Sequence, residues 1–141
     1  MAKLDLDYDD IININVGGKI YTTKRSLLCI DTESVLYEWF KIESNVMLDV
    51  DKDGNFFLNR DSESFRHILA YLRFKNEGIK VALALPSQPD ELAKLAAECG
   101  ALRINEFERL ALRMLSNYKH LEASHVVKTY TNYVFNEFTN R

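Results

Sequence analysis

The chain has 141 residues, 47% of them hydrophobic and 28% charged, which is a globular balance rather than a disordered one. Such a length makes one ordinary domain and buries a core without disulfide or metal staples. A net charge of −3 argues against nucleic acid as a partner, and no window approaches the ~20 apolar residues of a membrane-spanning helix.

Residues 1–10 read as an acidic lead-in. They carry Asp5, Asp7, Asp9 and Asp10 and lack the apolar stretch of a signal peptide. From Ile11 to Val16 the chain alternates, with Ile12, Ile14 and Val16 on one face and Asn13 and Asn15 on the other, so a strand is expected. Gly17-Gly18 follows, and Lys19 to Thr23 is again rich in strand formers. A Gly-Gly pair supplies positive φ at both centres of a two-residue turn, which makes a hairpin. Residues 24–42 change period. Leu27, Leu28, Val35, Leu36, Trp39 and Phe40 suit two short helices, the second capped by Thr32 or Ser34. Asp53-Gly54 is a turn, and Asn55 to Asn59 reads as a strand covered on both sides.

Asp61-Ser62-Glu63 opens the clearest helix, with Phe65, Ile68, Leu69 and Leu72 in one apolar stripe and Arg66, His67 and Arg73 elsewhere. After a loop at Asn76-Glu77-Gly78, Pro86 ends whatever Val81 to Leu85 forms. Ser87-x-x-Asp90 resembles a capping box, opening a helix that stops near Gly100. Asn105-x-x-Glu108 opens another, carrying Phe107, Leu110, Ala111, Met114 and Leu115. Val126 to Phe135 is dense in β-branched and aromatic residues and reads as a strand, with a helix burying Val126, Tyr130, Val134 and Phe138 as the alternative.

Chemistry-bearing motifs are few. Asp49-x-Asp51-x-Asp53-Gly54 matches the opening of an EF-hand loop. Its closing bidentate glutamate is replaced by Arg60, a cation at a cation site, so calcium binding is not expected. Gly17-Gly18-Lys19 runs on into strand chemistry rather than a helix, so it is not a phosphate loop. His67, His120 and His125 are scattered, and neither Cys29 nor Cys99 has a partner at zinc-finger spacing. No nucleophile elbow is present, and most carboxylates sit in turns or first helical turns, where capping explains them. No enzyme, cofactor or metal is therefore expected. Cys29 and Cys99 read as buried free thiols of a cytosolic or nuclear protein. Trp39-Phe40 at a helix end suits either core or interface anchor.

Three ordered segments resemble one family. Asn15-Val16-Gly17-Gly18 with Tyr21-Thr22-Thr23 is similar to the opening of BTB/POZ domains of the potassium-channel-tetramerisation (KCTD-like) type. Asp53-Gly54-Asn55-Phe56-Phe57-Leu58-Asn59-Arg60-Asp61 resembles the family's central segment, and Phe65-Arg66-His67-Ile68-Leu69 through Tyr71-Leu72-Arg73 resembles the helix after it. The resemblance covers about residues 11–115. It implies an α/β BTB/POZ fold, a small mixed sheet flanked by helices, over residues 11–116, with 117–141 as a C-terminal extension.

The implied activity is protein–protein interaction: homo-oligomerisation as a tetramer or pentamer, and an adaptor role in which a cullin-RING ubiquitin ligase is one partner. The alternative is a cytoplasmic assembly domain of a voltage-gated potassium channel. On this reading Arg60, Asp61 and Arg66 belong to the oligomer interface, and Trp39, Phe40 and Asn105 to a partner surface. Adaptor members place an aromatic pair where this chain has Glu98-Cys99-Gly100-Ala101-Leu102, which weakens the implied cullin contact. The interfacial zinc signature of certain channel domains is also missing.

Overall fold

Strand β1 (Ile11–Val16) buries Ile12, Ile14 and Val16 and turns Ile11 and Asn13 outward, as its alternation requires. Strand β2 (Lys19–Lys24) pairs with it antiparallel, Val16 opposite Lys19. Gly17 and Gly18 close the hairpin at φ 57° and 106°, and the Gly18 N–H donates to Asn15 Oδ1 at 2.8 Å. The computed structural model describes residues 7–118, so the expected strand at Val126 to Phe135 lies outside the described residues, as does most of the acidic lead-in.

Strand β3 (Phe56–Leu58) lies parallel to β1 on its other side, giving the order β2-β1-β3. A parallel neighbour needs a crossover, and helices α1 (Arg25–Leu28) and α2 (Val35–Phe40) supply it. Ser34 caps α2, its Oγ accepting from Tyr37 N. β3 is shorter than expected and is not covered on both sides: Leu58 is buried, but Phe56 and Phe57 are only half-buried. The reason is the preceding turn. The backbone of Asn55 is engaged there, its N–H donating to Asp51 Oδ1 and its carbonyl accepting from Asp51 N, so pairing begins one residue later.

Helix α3 (Ser62–Glu77) is the central column, burying Phe65, Ile68, Leu69, Tyr71 and Leu72. Asp61 caps its start, and Gly78 ends it in the left-handed conformation at φ 73°. A short 3₁₀ turn (Val81–Ala84) leads to α4 (Pro89–Leu102) and α5 (Asn105–Ser116), which pack on each other. Aromatic pairs join the layers: Tyr71 stacks on Phe107 with centroids 4.5 Å apart, and Tyr21 meets Phe65 at 5.4 Å.

Two helix-end expectations are corrected. The start of α4 is set by Pro89 in its first turn rather than by Ser87, because proline's fixed φ suits that position. The helix also runs past Gly100 to Leu102. Gly100 is a packing residue: a Cβ there would sit 2.6 Å from Oε2 of the buried Glu108 on α5. Arg103 ends the helix instead, at φ 56°, a conformation that costs a non-glycine residue roughly 1–2 kcal/mol. Helix α5 opens at Asn105, as expected, with Ile104 in the cap position and no side-chain bond there.

Candidate interaction surfaces

The first surface lies where α2 meets the α4–α5 corner. Glu38 of α2 and Arg103 of the corner form an ion pair at 2.6 Å, tying together segments 65 residues apart in sequence. Trp39, beside Glu38, is half-buried, and Asn105 is exposed in the first turn of α5. Both are open to a partner. Phe40 is not, and its assignment to this surface is corrected. It is fully buried, meets Phe56 edge-on at 5.5 Å, and its carbonyl accepts from Arg25 Nη1 at 3.0 Å. Phe40 shares a helix face with Leu36, four residues earlier and also fully buried, which is why it points inward.

The second surface surrounds the start of α3. Asp61 Oδ2 accepts from the backbone N–H of Ser64 at 3.1 Å and from its hydroxyl at 2.7 Å. Arg60 Nε donates to Glu98 Oε2 at 2.8 Å, anchoring the β3–α3 corner to α4. The Arg60 side chain keeps a third of its surface exposed, and Arg66 is exposed just over one turn into the helix. All three residues therefore share one region. Two of them already have structural duties there that sequence reasoning did not foresee. Glu98 was missed as the partner of Arg60 because the two are 38 residues apart.

A further polar cluster joins α3 to α5. Glu106 Oε1 accepts from the Tyr71 hydroxyl at 2.7 Å and from Lys75 Nζ at 2.8 Å. Those two hydrogen bonds, Lys75's first, hold the Glu106 carboxyl below its ordinary range. Burial, then the Glu106 contact, pushes the Tyr71 hydroxyl up. The cluster fixes helix spacing, and no sequence motif announced it.

The acidic turn before β3 is organised around Asp51. Its Oδ1 accepts from the N–H groups of Asp53 and Asn55, both at 2.9 Å. Its Oδ2 accepts from the side-chain amides of Asn15 at 2.8 Å and Asn55 at 3.2 Å. Oδ1 thus closes the turn on itself, and Oδ2 ties the turn to β1. Led by the Asn15 hydrogen bond, they bring the Asp51 carboxyl down to about 2 from 3.8. A depressed folded-state value means that the stabilisation is complete above pH 3.8 and is lost as pH falls through about 2. Asn15→Ala is expected to move Asp51's titration back towards 3.8, read from its carboxyl carbon shift; an unmoved titration would show that Asn15 is not the controlling donor.

Beside this turn runs an apolar strip on the surface: Met47 is 95% exposed, and Val46 and Val50 are about half exposed. Residues 12–98 match the family model for the BTB/POZ domain. The chain belongs to the BTB/POZ family. It is 36% identical over 89 residues to BTB/POZ domain-containing protein KCTD21 of Homo sapiens, covering 63% of this chain and 31% of that protein. It is 36% identical over 62 residues to BTB/POZ domain-containing protein KCTD5 of Homo sapiens, covering 44% and 26%. The chain therefore spans about a third or less of the length of these relatives.

This BTB/POZ domain is of the KCTD-like type, and the small three-stranded mixed sheet and five helices of the described residues are the expected α/β architecture. The match begins at β1 and ends at Glu98, so it includes the Arg60–Glu98 pair but not Arg103, Asn105 or α5. As a BTB/POZ domain the chain is a protein-interaction module. Among the described residues no helix is long and apolar enough to cross a membrane, and no three His, Cys, Asp or Glu side chains converge for a metal. Cys29 is half-buried rather than buried, Cys99 is buried, and both are free thiols.

Proposed function

We propose that residues 11–116 form the self-assembling, partner-binding module of an adaptor, with 117–141 as its extension. The observation that carries this reading is the BTB/POZ match on a domain that leaves the Val46–Val50 strip uncovered. Exposed apolar residues gathered along one strip mark a contact rather than an ordinary surface. A closed ring needs two different faces on each subunit, meeting head to tail. The region of Arg60, Asp61 and Arg66 supplies one face, and the apolar strip of the neighbouring copy the other. The ring has four or five subunits. It works by presenting several copies of a weak site at high effective concentration, with no catalytic step and no cofactor. A cytoplasmic or nuclear setting keeps Cys29 and Cys99 reduced.

Light scattering at micromolar concentration is expected to give four or five times the 16.4 kDa chain mass. Met47→Glu is expected to shift it towards a monomer, since it puts a charge into the contact. A monomeric wild type would end this reading.

The partner of the adaptor is a cullin, met by the face that carries Trp39 and Asn105. A large half-buried tryptophan beside a polar rim is the usual form of an interface anchor. The Glu98 to Leu102 segment brings no aromatic residue to that contact, so binding is expected to be weaker than in adaptor relatives. A pull-down with a purified cullin N-terminal domain is expected to show retention that Trp39→Ala reduces about thirtyfold, the equivalent of one lost anchor of about 2 kcal/mol. Circular dichroism checks that the variant is folded. Strong retention unchanged by Trp39→Ala would refute the site.

A further inference from the structure

Strand β2 is an open edge. In the order β2-β1-β3 its outer row of peptide groups has no strand against it among the described residues. Lys19 and Lys24 stand exposed at its two ends. At the Lys24 end the edge runs into a cleft of about 300 Å³, walled by Thr23, Lys24, Ser26, Leu27, Arg73 and Asn76. Two of these side chains are cations and none is a carboxylate. Those of Lys24, Ser26, Arg73 and Asn76 make no hydrogen bond or ion pair with any other described residue, while Arg25, Arg60, Lys75 and Arg103 all have acidic partners. In a chain of net charge −3, this leaves a concave group of unengaged donors beside a free strand edge.

We propose that the β2 edge and this cleft bind an extended acidic peptide segment of a partner protein. The peptide adds as a further strand, and its main chain satisfies the free N–H and C=O groups of Lys19–Lys24. One anionic side chain, carboxylate or phosphate, enters the cleft. There the Arg73 guanidinium offers a two-pronged contact, and the Lys24 ammonium adds a second positive charge. Leu27 supplies an apolar wall for the methylene groups behind that anion. Charge selects the occupant. An antiparallel β2–β2 pairing of two copies would gather Lys19 and Lys24 of both copies along one seam, and that accumulation of like charge at a strand edge disfavours it. An acidic strand meets the same lysines as partners. The cleft shares no lining residue with the assembly region of Arg60, Asp61 and Arg66, but Tyr21 of β2 donates its hydroxyl to the Ser62 carbonyl at the edge of that region, so solution mass is read beside every binding measurement.

The test uses the whole chain and three short fluorescein-labelled peptides of alternating valine and threonine, carrying glutamate, phosphoserine or glutamine at the centre. Anisotropy is expected to show binding of the first two, weakening with salt, and binding of the glutamine peptide weaker by about tenfold, the loss of one charge-assisted contact. Arg73→Gln and Lys24→Gln are each expected to weaken the glutamate peptide by about tenfold, with circular dichroism and solution mass unchanged. Hydrogen exchange is expected to slow at the amides of Lys19–Lys24 when the peptide binds. Equal affinity for the glutamine peptide, or protection confined to another element, would overturn the proposal. So would inorganic phosphate that displaces the peptide at the peptide's own concentration, since the strand would then contribute nothing. A fall in solution mass in Arg73→Gln would show the cleft to be a contact between copies, and would also reject it.

Discussion

Phe40→Ala is expected to destabilise the domain by roughly 3–5 kcal/mol, the range for truncating a fully buried aromatic side chain. Phe40 has no solvent exposure and lies edge-on to Phe56, so its ring fills the space between α2 and β3. Helix α2 has only six residues, too few to hold itself together without packing. Removing the ring therefore leaves a cavity and loosens the crossover that brings β3 beside β1. The Phe40 carbonyl is also the hydrogen-bond acceptor for Nη1 of the buried Arg25. Displacing it would leave that guanidinium with only the distant carboxylate of Asp10, at 4.0 Å. A loss of this size is a large share of the 5–15 kcal/mol that holds a typical domain together. Urea denaturation measures it, and a shift worth less than about 1 kcal/mol would mean that the site collapses around the cavity. The result also governs how binding data are read. Lost partner binding in Phe40→Ala would report unfolding, whereas Trp39→Ala interrogates the surface itself.

Phe40 also shows what was legible in the sequence. Trp39 and Phe40 are adjacent, so on a helix they point about 100° apart, and on this helix one is fully buried while the other is half-buried. The discriminating signal was present: Leu36 and Phe40 share a face, and Val35 and Trp39 share another. A helix this short gave too little context to say which face was inside. Where the pattern ran longer it decided the matter. The alternation of Ile12, Ile14 and Val16 and the Gly-Gly turn defined the hairpin, and the stripe from Phe65 to Leu72 defined α3.

Errors arose where tertiary contacts overrode a local signal. Gly100 looked like a helix stop because glycine is the usual one, yet Glu108 of the neighbouring helix occupies the space a side chain there would need. The chain turns instead at Arg103, which Glu38 holds by an ion pair. Which residues cluster was legible for Arg60, Asp61 and Arg66, because they are close in sequence at the start of α3. The pairings within the two surfaces were not, since Arg60–Glu98 and Glu38–Arg103 join segments that only the fold brings together.

Gly17→Val is expected to be far more damaging than Gly18→Val, although the two glycines share one turn. Both have positive φ, so either valine suffers backbone strain. At Gly18 nothing lies within 4 Å of the added Cβ, and strain alone sets a cost of roughly 1–2 kcal/mol. At Gly17 the Cβ would also stand 2.5 Å from the carbonyl oxygen of Arg60, a backbone atom that cannot rotate away. Relief requires β1 and the β3–α3 corner to separate, against the hydrogen bond from Gly17 N to Leu58 O at 2.9 Å. Adding about 1–3 kcal/mol for this overpacking to the strain gives roughly 2–5 kcal/mol. The displacement bears on function, because Arg60 holds Glu98 and the next residue, Asp61, caps α3. Gly17→Val is therefore expected to lower the solution mass of the assembly under conditions in which Gly18→Val does not. Urea midpoints for the two variants, with light scattering on the folded protein, test both statements. Equal midpoints would show that the Arg60 carbonyl yields freely, and that the close approach of the hairpin to the α3 corner does not hold the assembly surface in place.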